Sequence, residues 1–272
     1  MITSVDVSGG GAPLNLPLWG YEDGFYIKEI TGLGPVSAEL STTSRARFDG
    51  LRLQNVRKGV RNIVMTVGLL TGHHTRTVES LRHELYLAYP VGREVNITIN
   101  REGLPDLHIT GVVESVEDAI FSREPEMVVS VVCMDPYYRV GTVGAYTSPY
   151  ERNLGVSLGI DYEGNIPSGV RIRVQTQPSV TLNNLNIQHD SDYGSNEFSA
   201  SYNGYMTAEL DNRNVSRKFR IDSVSRLDLV SGASQWPVLQ VGYNSLVVSV
   251  SSIVGTGNFR VIFEWDTYQD FA

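Results

Sequence analysis

The chain has 272 residues, 41% hydrophobic and 19% charged, a balance that supports folding throughout and allows one large domain or two ordinary ones. Its formal net charge of −8 disfavours a general nucleic-acid binder, which needs a cationic surface to release counterions from phosphates. The single cysteine, Cys133, excludes an intrachain disulfide and a cysteine-rich metal cluster, and its place in the apolar run MVVSVVCM marks it as a buried small hydrophobe.

The opening, MITSVDVSGGGAPLNLPLWG, lacks the basic segment and apolar core of a secretion signal, and no run approaches ~18 apolar residues. The expectation is a chain made in the cytoplasm, with no membrane insertion. Gly9-Gly10-Gly11 suggests a mobile or extended entry. Gly24 to Ile30 and Val36 to Thr42 read as short strands divided by the turn-forming TGLGP. Ser44 to Gly59 is polar and rich in arginine, with a turn signal at Asp49-Gly50, and predicts a long loop or a projecting ribbon. Val60, Ile63, Met65 and Val67 then follow a strand pattern. Val78, Leu81 and Leu85 fall at i, i+3 and i+7, Thr75 or Thr77 can cap the first turn, and Pro90 stops it, which predicts a helix over Arg76 to Ala88 with Arg82 and Glu84 on its open faces. Pro90 and Gly92 turn the chain into alternating Val95, Ile97 and Ile99, and DLHITGVVESVEDAIF and EMVVSVVCMD complete two more strands. The expected core of this half is Ile63, Met65, Val67, Leu81, Leu85, Val95, Ile97 and Val131.

Beyond MDPYYR the composition shifts toward Ser, Asn, Gly and Tyr, and VGTVGAYTSP reads as a linker. The strand candidates that follow, from GVRIRVQT through SRLDLV to FRVIFEW, are short and divided by turn residues, a spacing that favours a β-sandwich or jelly roll. The expected class is mainly β with one helix, divided between Asp135 and Pro149 into domains 1–140 and 141–272.

Motifs for chemistry are missing. His73, His74, His83, His108 and His189 are scattered without metal spacing, GLGPVS and GTGNFR fail the phosphate-loop pattern, and there is no Gly-x-Ser-x-Gly elbow. Glu114 with Glu117, or Glu124 with Glu126, has the residue type of a glycosidase pair but no sign of a cleft. No catalytic residue, cofactor or metal site is assigned, and the chain is read as not an enzyme. In HDSDYGSNE, the hard oxygens of Asp190, Asp192 and Asn196 suit calcium and Tyr193, near Tyr202, suits a sugar face. This candidate ligand loop fails the calcium-loop spacing and reads first as a surface turn. The densest basic segment holds Arg45, Arg47, Arg52, Arg57, Lys58 and Arg61, and Arg45, Arg47, Asp49, Arg57, Lys58 and Arg61 are the candidates for a head-to-tail contact with an acidic surface of another copy.

In order along the chain, ITGLGPVSAEL, RFDG, RKGVRNIVMTVGLL, SLRHELYLAYPVGREVNITI, ITGVVESVEDAIFSREPEMVVSVVCMDPYY, YEGNIPSGVRIRV and LQVGYNSLVVSV resemble the distal tail proteins of long-tailed, non-contractile bacteriophages, the hub at the tail tip. The order of elements carries the resemblance: a Gly-x-Arg strand, a helix with Leu-x-x-x-Leu-Tyr ending at Pro-x-Gly, a Gly-x-Val-x-Ser-x-Glu strand and a closing Asp-Pro-Tyr. It implies an N-terminal split β-barrel-like domain with one helix, six copies of which close a ring continuing the tail tube, and a C-terminal galectin-like β-sandwich. It also implies a structural virion protein at the tail tip, with tail tube, tape measure and tail-tip or tail-fibre proteins as partners, and phage DNA passing through the lumen without specific binding. About 130 residues after the boundary leave room for one sandwich and no large inserted module, so direct receptor binding is not implied. The alternative is a carbohydrate-binding module that recognises host-envelope glycans through the second half.

Overall fold

The structure, a computed structural model, describes residues 1–18, 24–44, 49–71, 76–118, 124–178, 180–204, 207–213 and 217–271. Contacts divide the chain into two compact units, Met1–Gly141 with Gln269–Ala272, and Thr142–Tyr268. The last residues therefore group with the first unit, where the sequence reading had assigned them to the second.

In the first unit, alternation of apolar residues builds strands that bury one face. β1 (Ile2–Ser8) and β2 (Leu14–Pro17) form an antiparallel pair that buries Val5, Val7, Leu14 and Leu16, so the glycine run between them is a hairpin connection and not a mobile entry. β3 (Phe25–Thr31) follows, and β4 (Ala38–Ser44) and β5 (Leu51–Lys58) pair only with each other. β6 (Arg61–Leu69) buries Ile63, Met65 and Val67 completely. After α1 (Val78–Ala88) come β7 (Glu94–Arg101), β8 (Leu107–Asp118), β9 (Glu126–Cys133) and β10 (Tyr138–Thr147). Antiparallel ladders join β3, β6, β9, β8, β7, β1 and β2 in that order, and among the described residues no ladder between β2 and β3 closes the sheet into a barrel. β10 begins on β8, with Arg139 opposite His108, so the stretch expected as a linker is a strand.

The helix starts where a side chain can replace a missing backbone partner. Thr77, extended at φ −89° and ψ 157°, accepts a hydrogen bond from the Ser80 amide at 3.2 Å. Thr75 lies outside the described residues. The last turn closes with the Tyr89 amide on the Leu85 carbonyl at 2.9 Å, just before Pro90. Leu81, Leu85 and Ala88 are buried, as the spacing requires, but so is Arg82, which the pattern had put on an open face. Its guanidinium meets Glu79 at 2.8 Å and Asp118 of β8 at 3.6 Å, so its stem packs on the sheet while its head is paired.

The second unit is a two-sheet sandwich. Its strands are β11 (Gly155–Tyr162), β12 (Ser168–Thr176), β13 (Val180–Ser191), β14 (Gly194–Gly204), β15 (Ala208–Asp211), β16 (Lys218–Ile221), β17 (Val224–Ser225), β18 (Val238–Leu239), β19 (Gly242–Gly255) and β20 (Phe259–Gln269). One sheet runs β11-β19-β13-β14; the other continues β17-β16-β15-β12-β20-β10, with β18 beside β12. Their inner faces share a core around Ile187, Phe198, Phe219, Leu246, Phe259 and Phe263. SRLDLV, expected as a strand, holds instead a short 3-10 turn at Leu227–Leu229.

Leu81→Asp sets an uncompensated carboxylate in the core of the first unit and is expected to cost several kcal/mol, enough to leave the chain insoluble or molten. Arg82→Ala strips Asp118 of its cation and is expected to lower stability by about 1–3 kcal/mol, whereas the sequence pattern alone predicts no effect. Chemical denaturation followed by tryptophan fluorescence separates the two.

Candidate functional site

The basic segment folds as a ribbon, and its register decides what it presents. Ala38 faces Lys58, Leu40 faces Val56, Thr42 faces Leu53 and Ser44 faces Leu51, while a bulge between Ser41 and Thr42 leaves Gln54 unopposed. Residues opposite one another share a face, and positions two apart along β4 share it too. Leu40, Leu51, Leu53 and Val56 therefore lie together on one side, and Glu39, Arg57, Asn55 and Arg52 on the other. Every residue of both strands is exposed, with Leu40 at 62%, Leu51 at 66%, Leu53 at 53% and Val56 at 50%. A two-stranded ribbon is marginal alone in water, and this one exposes an apolar side with no core of its own.

The candidate charges divide. Arg45 and Arg47 lie outside the described residues, Asp49 is exposed beside the ribbon's turn, and Arg57 is exposed opposite Glu39. Lys58 is drawn inward, bound to the Asp270 carboxylate and held 5.4 Å from the centre of the Tyr137 ring. Arg61 is 1% exposed and offers nothing to a partner. It donates to the carbonyls of Gly32 (2.6 Å), Gly34 (2.6 Å), Pro136 (2.7 Å) and Asp270 (2.7 Å), with its guanidinium 4.4 Å from the centre of the Tyr138 ring. Gly32 is needed here: at φ 82° a Cβ would sit 1.8 Å from the Asn62 carbonyl oxygen.

The stretch His189 to Glu197 is no loop but the end of the β13–β14 hairpin, with Asp192 and Tyr193 at its turn. His189 pairs in register with Asn196 and is buried, and its Nε2 lies 3.0 Å from Asn244 Oδ1, which can only accept, so Nε2 carries the proton. Asp190 pairs with Ser195 and points to the opposite face. Asp190 and Asn196 thus do not converge, and among the described residues no three His, Cys, Asp or Glu side chains are placed to hold a metal ion.

Three of the four candidate acids are engaged structurally, and Glu117 is exposed. Lys28 Nζ bridges Glu126 at 2.9 Å and Glu124 at 3.0 Å, and these hydrogen bonds raise the lysine pKa. Glu114 accepts from Ser130 Oγ at 2.9 Å. Burial pushes the Cys133 thiol up to about 11, which keeps it protonated and inert. A charged network that the sequence did not single out covers the outer side of the β12 sheet, where Arg171 reaches Glu209 and Glu264 and Arg213 reaches Asp211; its signal was the alternation of Arg171 and Arg173 along β12, read only as a strand. No helix among the described residues is long and apolar enough to cross a membrane.

No protein-family model matches the sequence, and no curated protein matches it. Among solved structures the fold of this chain, an open antiparallel unit with one helix and a β-sandwich, has a counterpart along nearly its whole length. One structure it is similar to is the crystal structure of the Dit protein (gp 19.1) of phage SPP1, described as a paradigm of hub adsorption apparatus in Gram-positive infecting phages; the likeness has a TM-score of 0.65 at 14% identity and covers 96% of this chain and 98% of that one. Two structures of the phage P2 baseplate in its activated conformation, one with Ca and one with Sr, match at TM-scores of 0.49 and 0.46 and 6% identity. The first covers 100% of both chains, the second 95% of this chain and 97% of that one, and at these scores neither adds to the fold assignment.

Arg61→Lys keeps a charge but cannot reach four carbonyls in different directions, and is expected to cost about 2–4 kcal/mol in urea denaturation and to speed hydrogen exchange of residues 269–271. For Cys133 the sign is set by the raised pKa: the unfolded thiol ionises first, so its contribution to stability is complete below pH 9.0 and declines as pH rises toward 11, by on the order of 1–2 kcal/mol. In Cys133→Ala that part of the alkaline loss disappears.

Proposed function

We propose that this chain is a structural virion protein, the ring-forming hub at the tip of a long non-contractile phage tail, joining the tail tube to the tip or baseplate and to components of host adsorption. The observation that carries the reading is the likeness to the SPP1 Dit hub protein over 96% of this chain. In this reading the first unit closes a ring of six copies. The tail tube, tape measure and tail-tip or tail-fibre proteins are its partners, and DNA passes through the lumen without specific contact.

The exposed ribbon supports the ring. Covering Leu40, Leu51, Leu53 and Val56, each already half-buried at best, is worth on the order of 1 kcal/mol apiece per copy. An exposed ion pair is worth about 0–1 kcal/mol and fades with salt. The apolar face therefore outweighs the arginines as the driver of association, and the charged side sets orientation. A heterologous contact, ribbon onto a different patch of the next subunit, closes a ring when the rotation closes.

The expected species in native mass spectrometry is a six-membered ring; a monomer that stays monomeric at high concentration sinks the reading. Leu51→Asp with Leu53→Asp is expected to dissociate the ring at any salt concentration while leaving each subunit folded. Arg45, Arg47 and Arg57 all changed to Glu is expected only to weaken it, and mainly at low salt, as light scattering across a salt series reads out.

A further inference from the structure

The outer face of the four-stranded sheet departs from what strands favour. Its inner face carries Leu185, Ile187, Phe198, Leu246 and Val248, residues that suit a pleated, packed surface. Between the kink at Asn184, where φ is 49°, and the hairpin turn, the outer face is made instead mostly of serine, glycine, carboxamides and carboxylates, which fit a strand poorly, with Val247 opposite Gln188 as its one aliphatic residue. A run of locally unfavourable choices in the best-paired sheet of the unit marks a surface kept for another purpose.

The register assembles that surface. Asn186, Gln188 and Asp190 stand in a column at alternate positions of β13. Asn186 is flanked by Ser249 on β19 and Ser199 on β14, and Asp190 by Ser245 and Ser195. On this face the edge strand β11 lays Gly155, Ser157 and Gly159 alongside Ser249, Val247 and Ser245 of β19, and Asp161 opposite Tyr243. Tall amides beside small residues leave a furrow along β19, about 20 Å from Tyr243 to Ser249 at the strand rise. At the Ser249 end it opens into a groove of about 470 Å³ whose lining mixes polar residues such as Asn186, Ser199 and Ser249 with Leu185, Leu229 and Val250. At the other end the 59% exposed Tyr243 lies against the strand at Gly159, where a Cβ would come within 2.8 Å of its hydroxyl, so glycine is what lets the ring lie flat.

Chemistry selects the occupant. No lysine or arginine falls on this face between the kink and the turn, while Asp161, Asp190 and Glu197 do, so a phosphate or uronate would be repelled. Carboxamides and hydroxyls donate and accept at once, which matches neighbouring hydroxyls that do the same, and an exposed aromatic ring offers a flat apolar platform to a C–H face. We propose that the outer face of the β11-β19-β13-β14 sheet binds a neutral saccharide chain along β19, with Asn186 and Gln188 as its hydrogen-bonding wall and Tyr243 as its stacking platform. The site stands on the second unit alone and is independent of ring assembly. It replaces the hairpin end as the sugar contact, since Asn196 points to the other face.

The test exposes the full chain to an array of neutral and acidic glycans and titrates it with soluble maltohexaose, cellohexaose and chitohexaose. The expected result is saturable binding of a neutral glycan, weakened at least tenfold by Tyr243→Ala and by Gln188→Ala. Ser157→Lys, an exposed change that fills the furrow without touching the core, is expected to abolish it, and an unchanged thermal melt and ring size confirm that each variant is intact. Absence of neutral-glycan binding at millimolar concentration, binding of acidic glycans alone, or neutral binding indifferent to all three variants overturns the proposal.

Discussion

The first unit is organised around one buried cation. Arg61, at the start of β6, gathers the carbonyls after β3, the chain leaving β9 and the returning C-terminus onto a single guanidinium. Burying a guanidinium costs several kcal/mol unless its donors are used, and here four carbonyls and the Tyr138 ring use them. The planar fork also explains why arginine holds this place: its donors spread in directions fixed by the group itself, and a lysine ammonium cannot span them. Because the carbonyls come from three separate segments, the tie fixes where the ribbon's base strands leave the unit, with Lys58 adding a second hold on Asp270.

From that fixed base the ribbon projects with its sides unlike. A single extra residue, Gln54, lets the leucines of β5 share a side with Leu40, and the polar side keeps Glu39, Arg52 and Arg57. The bulge is therefore what turns a polar-looking sequence into an amphipathic element.

The second unit separates its tasks by face. Inner faces carry the aliphatic and aromatic residues that hold the two sheets together. One outer face carries arginine–carboxylate pairs, with Arg171, Arg173 and Arg213 engaged by Glu209, Asp211 and Glu264. The other is free of cations from the kink to the turn, and its amides are held in place by its own carboxylates, Asn186 donating to Glu197 and Gln188 to Asp190. Of the acids that looked free in the sequence, Glu124 and Glu126 are bound to Lys28 and Glu114 to Ser130, and the single thiol is buried.

Local pattern was enough for whatever depends on local pattern. The two-residue period of Ile63, Met65 and Val67, the helical spacing of Leu81 and Leu85 with Thr77 and Pro90 at its ends, and the turn-divided strands of the second half are read from neighbours in the chain, because pleat and helix turn are short-range geometry. Tertiary structure alone decided which charges are spent. Arg61 and Arg82 look like surface residues until carbonyls and carboxylates distant in sequence reach them, and Asp190 and Asn196 look like one site until the hairpin register puts them on opposite faces. The bulge opposite Ser41 and Thr42 and the kink at Asn184 belong to the same class: one residue of slip reverses every face beyond it, and that slip is set by the partner strand, which no single segment contains.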